Sequence, residues 1–219
     1  MPEMTSHPVR SQAAPLATTL STEAQAWATG ELLARAFVAD PVLCYAEPSG
    51  TRRARWMALI YRSFVRYAAA TGGVERVEGK AAALWLRDET QPSFWRGLRH
   101  GSIRVVLALG WRAAWRCLRH EAWCAARVRA LGFERFGYVW FLGVDPAAQR
   151  SGHGQRALNA ALEAMAAHGH ETCLLKTESP GNVAYYVQRG FALVDEGVVP
   201  ATQLRCWFFR RALTARGPS

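Results

Sequence analysis

Lysine is almost missing from this chain. Of its 27 basic residues only Lys80 and Lys176 are lysines, and arginine supplies the rest. The formal net charge is still +10. A basic surplus favours anionic partners: nucleic acid, acidic lipid or a phosphorylated cofactor. An arginine-rich codon bias would give the same composition, so charge alone selects none of them. Long apolar runs are missing too. The most apolar stretch, Ile103 to Leu118, is interrupted by Arg104, Arg112 and Arg116, which leaves it too short and too charged to span a bilayer. Residues 1–20 have no continuous apolar core of the kind a signal peptide needs. Together these absences predict a soluble cytoplasmic protein with no membrane partner. Cysteine is sparse and odd in number: Cys44, Cys117, Cys124, Cys173 and Cys206 show no paired framework, as expected of reduced, buried thiols. Cys117, His120 and Cys124 have metal-like spacing. They read as part of one helix, without the fourth ligand and supporting loop that zinc requires, so no metal is expected. No internal repeat or low-complexity run is present.

What is present is a globular composition. Half of the 219 residues are hydrophobic and 20% are charged, enough apolar surface for a substantial core. The length suits one domain. Residues 1–20 read as a loose segment with a short edge strand at Leu16–Leu20, residues 21–212 as the domain, and 213–219 as a loose tail. Thr22 can cap a helix from Glu23 to Phe37, with Gln25 completing a capping box. Asp40-Pro41 marks a turn. A second helix runs from Arg53 to Ala69, ended by Gly72-Gly73. Val74–Val77 and Ala81–Arg87 are strands joined by a turn at Gly79-Lys80, the second strand buried on both faces.

Residues 90–132 read as a helical insertion with eight arginines and one acid, Glu121. Trp111, Trp115, Leu118 and Ala122 recur at helical spacing, with Arg112, Arg116 and Arg119 on an adjoining side. The expected arrangement buries the tryptophan stripe and shows the arginines to water. A nucleic-acid-binding helix is the alternative, and nucleic acid is not the expected partner. From Tyr138 onward the order is strand (to Val144), glycine-rich loop, helix (Gln155–His168), strand (Thr172–Thr177), short helix (Asn182–Gln188) and two strands (Phe191–Val194, Leu204–Arg210).

The loop Gln149-Arg150-Ser151-Gly152-His153-Gly154 lies between a strand and a helix. Its glycines permit a tight turn and close approach to a ligand. Successive amides and a helix N-terminus then favour an anion such as a pyrophosphate, with Arg150 adding charge. Gly152 to Ala157 also fits the dinucleotide pattern G-x-G-x-x-A. Two features oppose a Rossmann site. Asp145 to Ser151 separate the strand from the first glycine, and the chain left after the loop is too short for further strand–helix units.

These residues carry a resemblance. Val144-Asp145-Pro146 followed by Gln149 to Gly154 is similar to the acetyl-CoA signature Q/R-x-x-G-x-G/A of the GNAT superfamily of N-acetyltransferases. Asn182, Tyr186, Gly190 and Phe191 match its N-x-x-x-Y-x-x-x-G-F. Leu175–Phe191, and the turn Asp40-Pro41-Val42-Leu43, resemble the branch containing puromycin N-acetyltransferase. The resemblance implies an α/β (α+β) fold: a mixed, mainly antiparallel sheet flanked by helices and splayed between the family's strands 4 and 5, which end here at Val144 and Thr177. Acetyl-CoA would lie in that opening. The backbone of Leu142, Gly143 and Val144 would pair with the pantetheine arm. The amides of Arg150, Ser151, Gly152, His153 and Gly154 would hold the pyrophosphate, with Gln149 and Gln155 also binding the cofactor. Asn182 and Tyr185 or Tyr186 would contact the arm.

The implied reaction is direct attack of a small-molecule primary amine on the thioester. Juxtaposition removes much of the entropic barrier. A strand amide near Val144 would stabilise the oxyanion. Tyr186 would protonate the departing thiolate, with a core aromatic role as its alternative. The similar branch often carries an acid where Lys176 stands. Glu178, two residues on and on the same side of a strand, could remove the acceptor's proton, bind a cation or pair with Lys176. Water, His100 or His120 remain as other bases. His153 stands where the family usually has an apolar residue, and either approaches a phosphate or faces solvent. The expected assembly is a monomer or homodimer. A CoA-binding sensor without catalysis is the alternative function.

Overall fold

A computed structural model describes residues 22–88, 107 and 110–213. The edge strand expected at Leu16–Leu20, His100 and most of the two ends fall outside them. Local sequence signals set the first elements. Thr22 accepts from the Gln25 amide and starts α1 (Glu23–Ala36). Asp40 and Pro41 do more than turn the chain. The Asp40 carboxylate accepts from the Leu43 amide, Pro41 takes the first helical position, and a short helix α2 (Pro41–Ala46) follows where sequence suggested only a turn. Ser49 caps α3 (Gly50–Thr71), which therefore begins before Arg53. β1 (Gly72–Val77) and β2 (Ala81–Arg87) form an antiparallel hairpin, with positive φ at Glu78 and Gly79 as a tight hairpin turn needs.

After the segment that is not described come α4 (Trp111–Ala130), β3 (Phe136–Val144), a 3-10 turn at Pro146–Ala148, α5 (His153–Ala167) and β4 (Thr172–Thr177). Then follow α6 (Gly181–Val187), β5 (Ala192–Val198) and β6 (Arg205–Ala212). The six described strands make one sheet, in the order β1-β2-β3-β4-β6-β5. Every pairing is antiparallel except β3–β4. That parallel pairing runs from Phe136↔Thr172 to Val139↔Leu175 and stops, although β3 continues to Val144 and β4 to Thr177. The sheet therefore opens between β3 and β4, as expected.

The two faces of the sheet are covered differently. α5 packs on one, where Leu158, Ala161 and Met165 meet Trp85, Val139 and Leu175. α1 and α3 cover the other, where Leu33, Ile60 and Tyr61 pack with Leu84 and Phe141. An extra residue, Trp140, interrupts the β2–β3 register: Leu84 pairs with Phe141 and Trp85 with Val139. As a result Trp140 and Phe141, though adjacent, both join the cluster on the α1–α3 face, whereas Val139 and Leu142 belong to the α5 cluster.

α4 turns the opposite way from expectation. Trp111, Trp115 and Leu118 are 70%, 53% and 61% exposed. The buried residues are Ala113, Ala114, His120, Cys124, Ala125 and Val128. Small side chains let this helix approach α2 closely, and bulk is left outside. Arg112 lies over Trp111 and Arg119 over Trp115, so the exposed rings carry cation–π contacts. No described helix is long and apolar enough to cross a membrane.

Candidate active site

The opening beyond Val139 leads into a cavity of about 1910 Å³ with two chemically distinct ends. One end presents free backbone amides that could cradle an anion. Gly152 caps α5 with φ +78, a left-handed backbone that L side chains rarely adopt, and Arg150 before it has φ +63. No side chain caps this helix, so its first-turn amides face the cavity mouth without an intrahelical partner. Gly154 allows the helix to reach the end of β3: a Cβ there would meet Val144 Cγ2 at 2.9 Å and the Tyr185 hydroxyl at 3.4 Å. The Tyr185 hydroxyl is buried and has no hydrogen-bond partner among the described residues. Arg189 stacks over the Tyr185 ring at 3.5 Å and also lines the cavity.

The other end is acidic and aromatic. Asp40, Glu121 and Glu178 reach it from α2's N-terminus, α4 and the end of β4, together with Lys176. Tyr61, Phe64, Trp140 and Phe141 wall it, packed in mutual ring contacts. Lys176 Nζ donates to Glu121 Oε1 at 3.0 Å and to Glu178. Burial opposes its charge, but Glu121 and Glu178 hold its pKa well above the ordinary lysine value. Burial would raise the Glu178 carboxyl. Lys176 and His120 overcome that and bring it down to about 2. Asp40 has no such cation in contact among the described residues. Burial, reinforced by the nearby Glu178 charge, raises its pKa to about 6.

The sequence model of the acetyltransferase (GNAT) family matches residues 85–191, which takes in the loop, α5, β4 and α6. Just under half of the chain thus matches the GNAT acetyltransferase family. The protein is an acyltransferase. The acetyltransferase shares its fold with solved structures of low identity. One, from Corynebacterium glutamicum and described as histone acetyltransferase HPA2 and related acetyltransferase, is 17% identical over 93% of this chain and 98% of that one, with TM-score 0.62. An agmatine N-acetyltransferase, a point mutant in its apo form, is 18% identical over 88% and 97%, with TM-score 0.60. Similarity to the ribosomal-protein-S18-alanine N-acetyltransferase from Escherichia coli is shorter: 18% identity over 38% of this chain and 58% of that one, TM-score 0.32. No curated protein matches the chain.

The acetyltransferase brings nearly all the residues singled out from sequence to this one cavity. Leu142, Gly143 and Val144 line it from the reach of β3 that β4 does not pair, and Gln149, Arg150, Gly152, His153, Gly154 and Gln155 from the loop and α5. Asn182, Tyr185, Tyr186 and Glu178 line it from the opposite side. Ser151 does not; its hydroxyl donates to the Gln149 carbonyl at 3.4 Å. Asn182 donates to Thr177 Oγ1 at 3.1 Å. His153 neither faces solvent nor stands free toward an anion. It is buried, and Nδ1 meets the Arg156 guanidinium, which in turn pairs with Glu78 at 2.6 Å. Tyr186 is buried among Tyr185, Phe191 and Phe209, and burial raises its pKa well above the ordinary tyrosine value. His120 is fully buried, with Nε2 3.0 Å from Glu178 Oε1 and Nδ1 3.0 Å from Thr202 Oγ1, so it offers no nitrogen to an acceptor in the cavity. Asp40 and Glu121 were not among the expected site residues.

Proposed function

We propose that the protein transfers an acetyl group from acetyl-CoA to the primary amine of a small cationic molecule, with Asp40 as general base and Tyr186 as general acid. The observation that carries this reading is the single cavity joining an anion cradle to a pocket of carboxylates and aromatic rings. Three features fit acetyl-CoA: uncapped amides at the start of α5, a glycine at the point of closest approach to β3, and a buried tyrosine hydroxyl that lacks a partner. When bound, acetyl-CoA supplies an activated thioester. The amides of Gly152 to Gln155 and Arg150 would hold its phosphates, Leu142 to Val144 its arm, and Asn182 and Tyr185 the same arm from the other side.

The acceptor end supports an ammonium ligand. Three carboxylates against one lysine leave a net negative charge, and aromatic walls add cation–π attraction. The agmatine specificity in the name of one structural neighbour is consistent with a small amine carrying a second positive charge. An amine must be neutral to attack. Asp40, with a pKa of about 6, is ionised at neutral pH and basic enough to take the acceptor's proton. Glu178, at about 2 and already engaged by Lys176 and His120, is the weaker base and serves as Lys176's partner. The likeness of Leu175–Phe191 to puromycin N-acetyltransferase belongs to the same reading of a small-molecule amine acceptor.

Tyr186 can give its proton to the sulfur, but burial makes it a reluctant acid. A thiolate is also a good leaving group, with an ordinary thiol pKa of about 8.5. Tyr186→Phe is therefore expected to lower kcat by only about tenfold, below the usual range for general acids, with the KM for acetyl-CoA little changed. Gly154→Val should act in the complementary way. The new side chain would collide with Val144 and close the cradle, raising the KM for acetyl-CoA by about tenfold, a loss of about 1.4 kcal/mol. Steady-state kinetics with a panel of diamines and aromatic amines checks both. Failure of acetyl-CoA to bind in titration calorimetry would overturn the whole assignment.

A further inference from the structure

Behind the acidic end of the cavity four ligand-type side chains converge in the interior. His120 and Cys124 stand one turn apart on the buried face of α4, Cys206 lies on β6, and Glu178 follows the last residue of β4. One ligand atom from each lies within 4.8 Å of all the others. The separations include Cys124 Sγ to Cys206 Sγ at 3.7 Å, Cys206 Sγ to His120 Nε2 at 3.7 Å and Cys206 Sγ to Glu178 Oε1 at 3.6 Å. His120 Nε2 is 3.0 Å from Glu178 Oε1. A tetrahedral zinc ion with Zn–S of about 2.3 Å and Zn–N or Zn–O of about 2.0 Å requires sulfurs about 3.8 Å apart and mixed edges of about 3.5 Å. The three edges at Cys206 stand near those spacings, the His120–Glu178 edge is shorter, and the two from Cys124 to His120 and to Glu178 lie within 4.8 Å.

We propose that His120, Cys124, Glu178 and Cys206 form a structural zinc site that ties α4 to the ends of β4 and β6. Two surrounding contacts fit this role. Thr202 Oγ1, 3.0 Å from His120 Nδ1, is also the acceptor for the Leu204 amide. If Nδ1 carries the ring proton and donates it to that oxygen, Nε2 has its lone pair turned to the cluster, as a metal-bound imidazole requires. Lys176 Nζ donates to the same Glu178 Oε1, which helps hold the carboxylate in place. Two thiolates and a carboxylate carry three negative charges, zinc would cancel two, and Lys176, shared with Glu121, stands beside the third. Binding breaks two S–H bonds, and both protons leave to solvent. All four positions of the ion are filled by protein, so the site is closed and structural rather than catalytic. It would hold in place the wall from which Cys117 and Glu121 face the cavity. The proposal does not depend on the acetyl-transfer reading.

The full chain, purified under reducing conditions without chelator, is expected to carry about one zinc per molecule by elemental analysis. After removal of the metal, cobalt(II) titration should give tetrahedral-type visible bands and a thiolate-to-metal charge-transfer band. Cys124→Ser and Cys206→Ser should each lose most of the zinc. Cys117→Ser, on the same helix but outside the cluster, should retain it. Wild-type protein with neither zinc nor a thiolate–cobalt band would overturn the proposal, whatever the variants' folding. So would intact-mass and alkylation analysis showing Cys124 and Cys206 joined as a disulfide in protein purified under these reducing conditions.

Discussion

Asp40→Asn is expected to lower kcat at neutral pH by about a hundredfold or more, within the usual range for a positioned acid or base. The substitution isolates charge from structure. Asp40 also caps α2 through Leu43, and asparagine caps helices as well as aspartate does, so the fold should survive. The pH profile carries the sharper test. A general base works only when deprotonated, so wild-type kcat should rise with pH through an apparent pKa of about 6. That limb should vanish in Asp40→Asn. The groups that face Asp40 are Tyr61 from α3, Cys117 and Glu121 from α4, and Lys176 and Glu178 from β4 and its end. Burial, Asp40 and, for Cys117, Glu121 push the tyrosine and cysteine pKa values upward, to about 12 for Cys117, so neither titrates near 6. Glu178 is ionised well below that point. A wild-type profile that is flat between pH 5 and pH 7, or an unchanged limb in the variant, would remove Asp40 from the mechanism.

Lys176→Met should cost about 3–5 kcal/mol of stability. Lys176 is the cation in contact with both Glu121 and Glu178, and its side chain is only 12% exposed. Removing it leaves two carboxylates facing each other with their principal counter-charge gone. A surface pair gives the scale: Arg135 and Glu171, 3.5 Å apart with both side chains mostly exposed, should contribute less than about 1 kcal/mol. Denaturant unfolding of Lys176→Met beside Arg135→Ala measures the contrast. Equal losses would mean that the lysine is solvated in solution and that the acidic end of the cavity is open to water.

Much of this architecture was readable from sequence because its signals are local. β2 and β4 keep their expected limits, since each is a short apolar run bounded by turn residues. The loop from Gln149 to Gly154 was legible because the backbone that cradles an anion needs glycine at fixed positions. The acceptor end was not. Asp40 was read as punctuation before a proline, and nothing local says that α3, α4 and β4 will close around its carboxylate. The burial of α4 was misjudged because bulk stood in for burial. Its inward face runs through Ala113, Cys117, His120, Cys124 and Val128, a helical stripe of small and polar side chains. The tryptophans mark the outside. His120 and Cys124 were noticed, but Glu178 and Cys206 come from other elements and are brought to them only by tertiary structure.

The unpaired Trp140 has a consequence for which molecules can be recognised. Side chains along a strand alternate between faces, so one additional residue exchanges the roles of all that follow. Up to Val139, odd positions of β3 point to α5; beyond the interruption, even positions do. Parity, more than composition, thus sets Leu142 and Val144 on the α5 side and leaves Trp140 and Phe141 side by side on the other, their rings tilted by 44°. A strand with the same residue types and an unbroken register would turn one ring away and halve that aromatic wall, so the width of the wall is written into a single insertion.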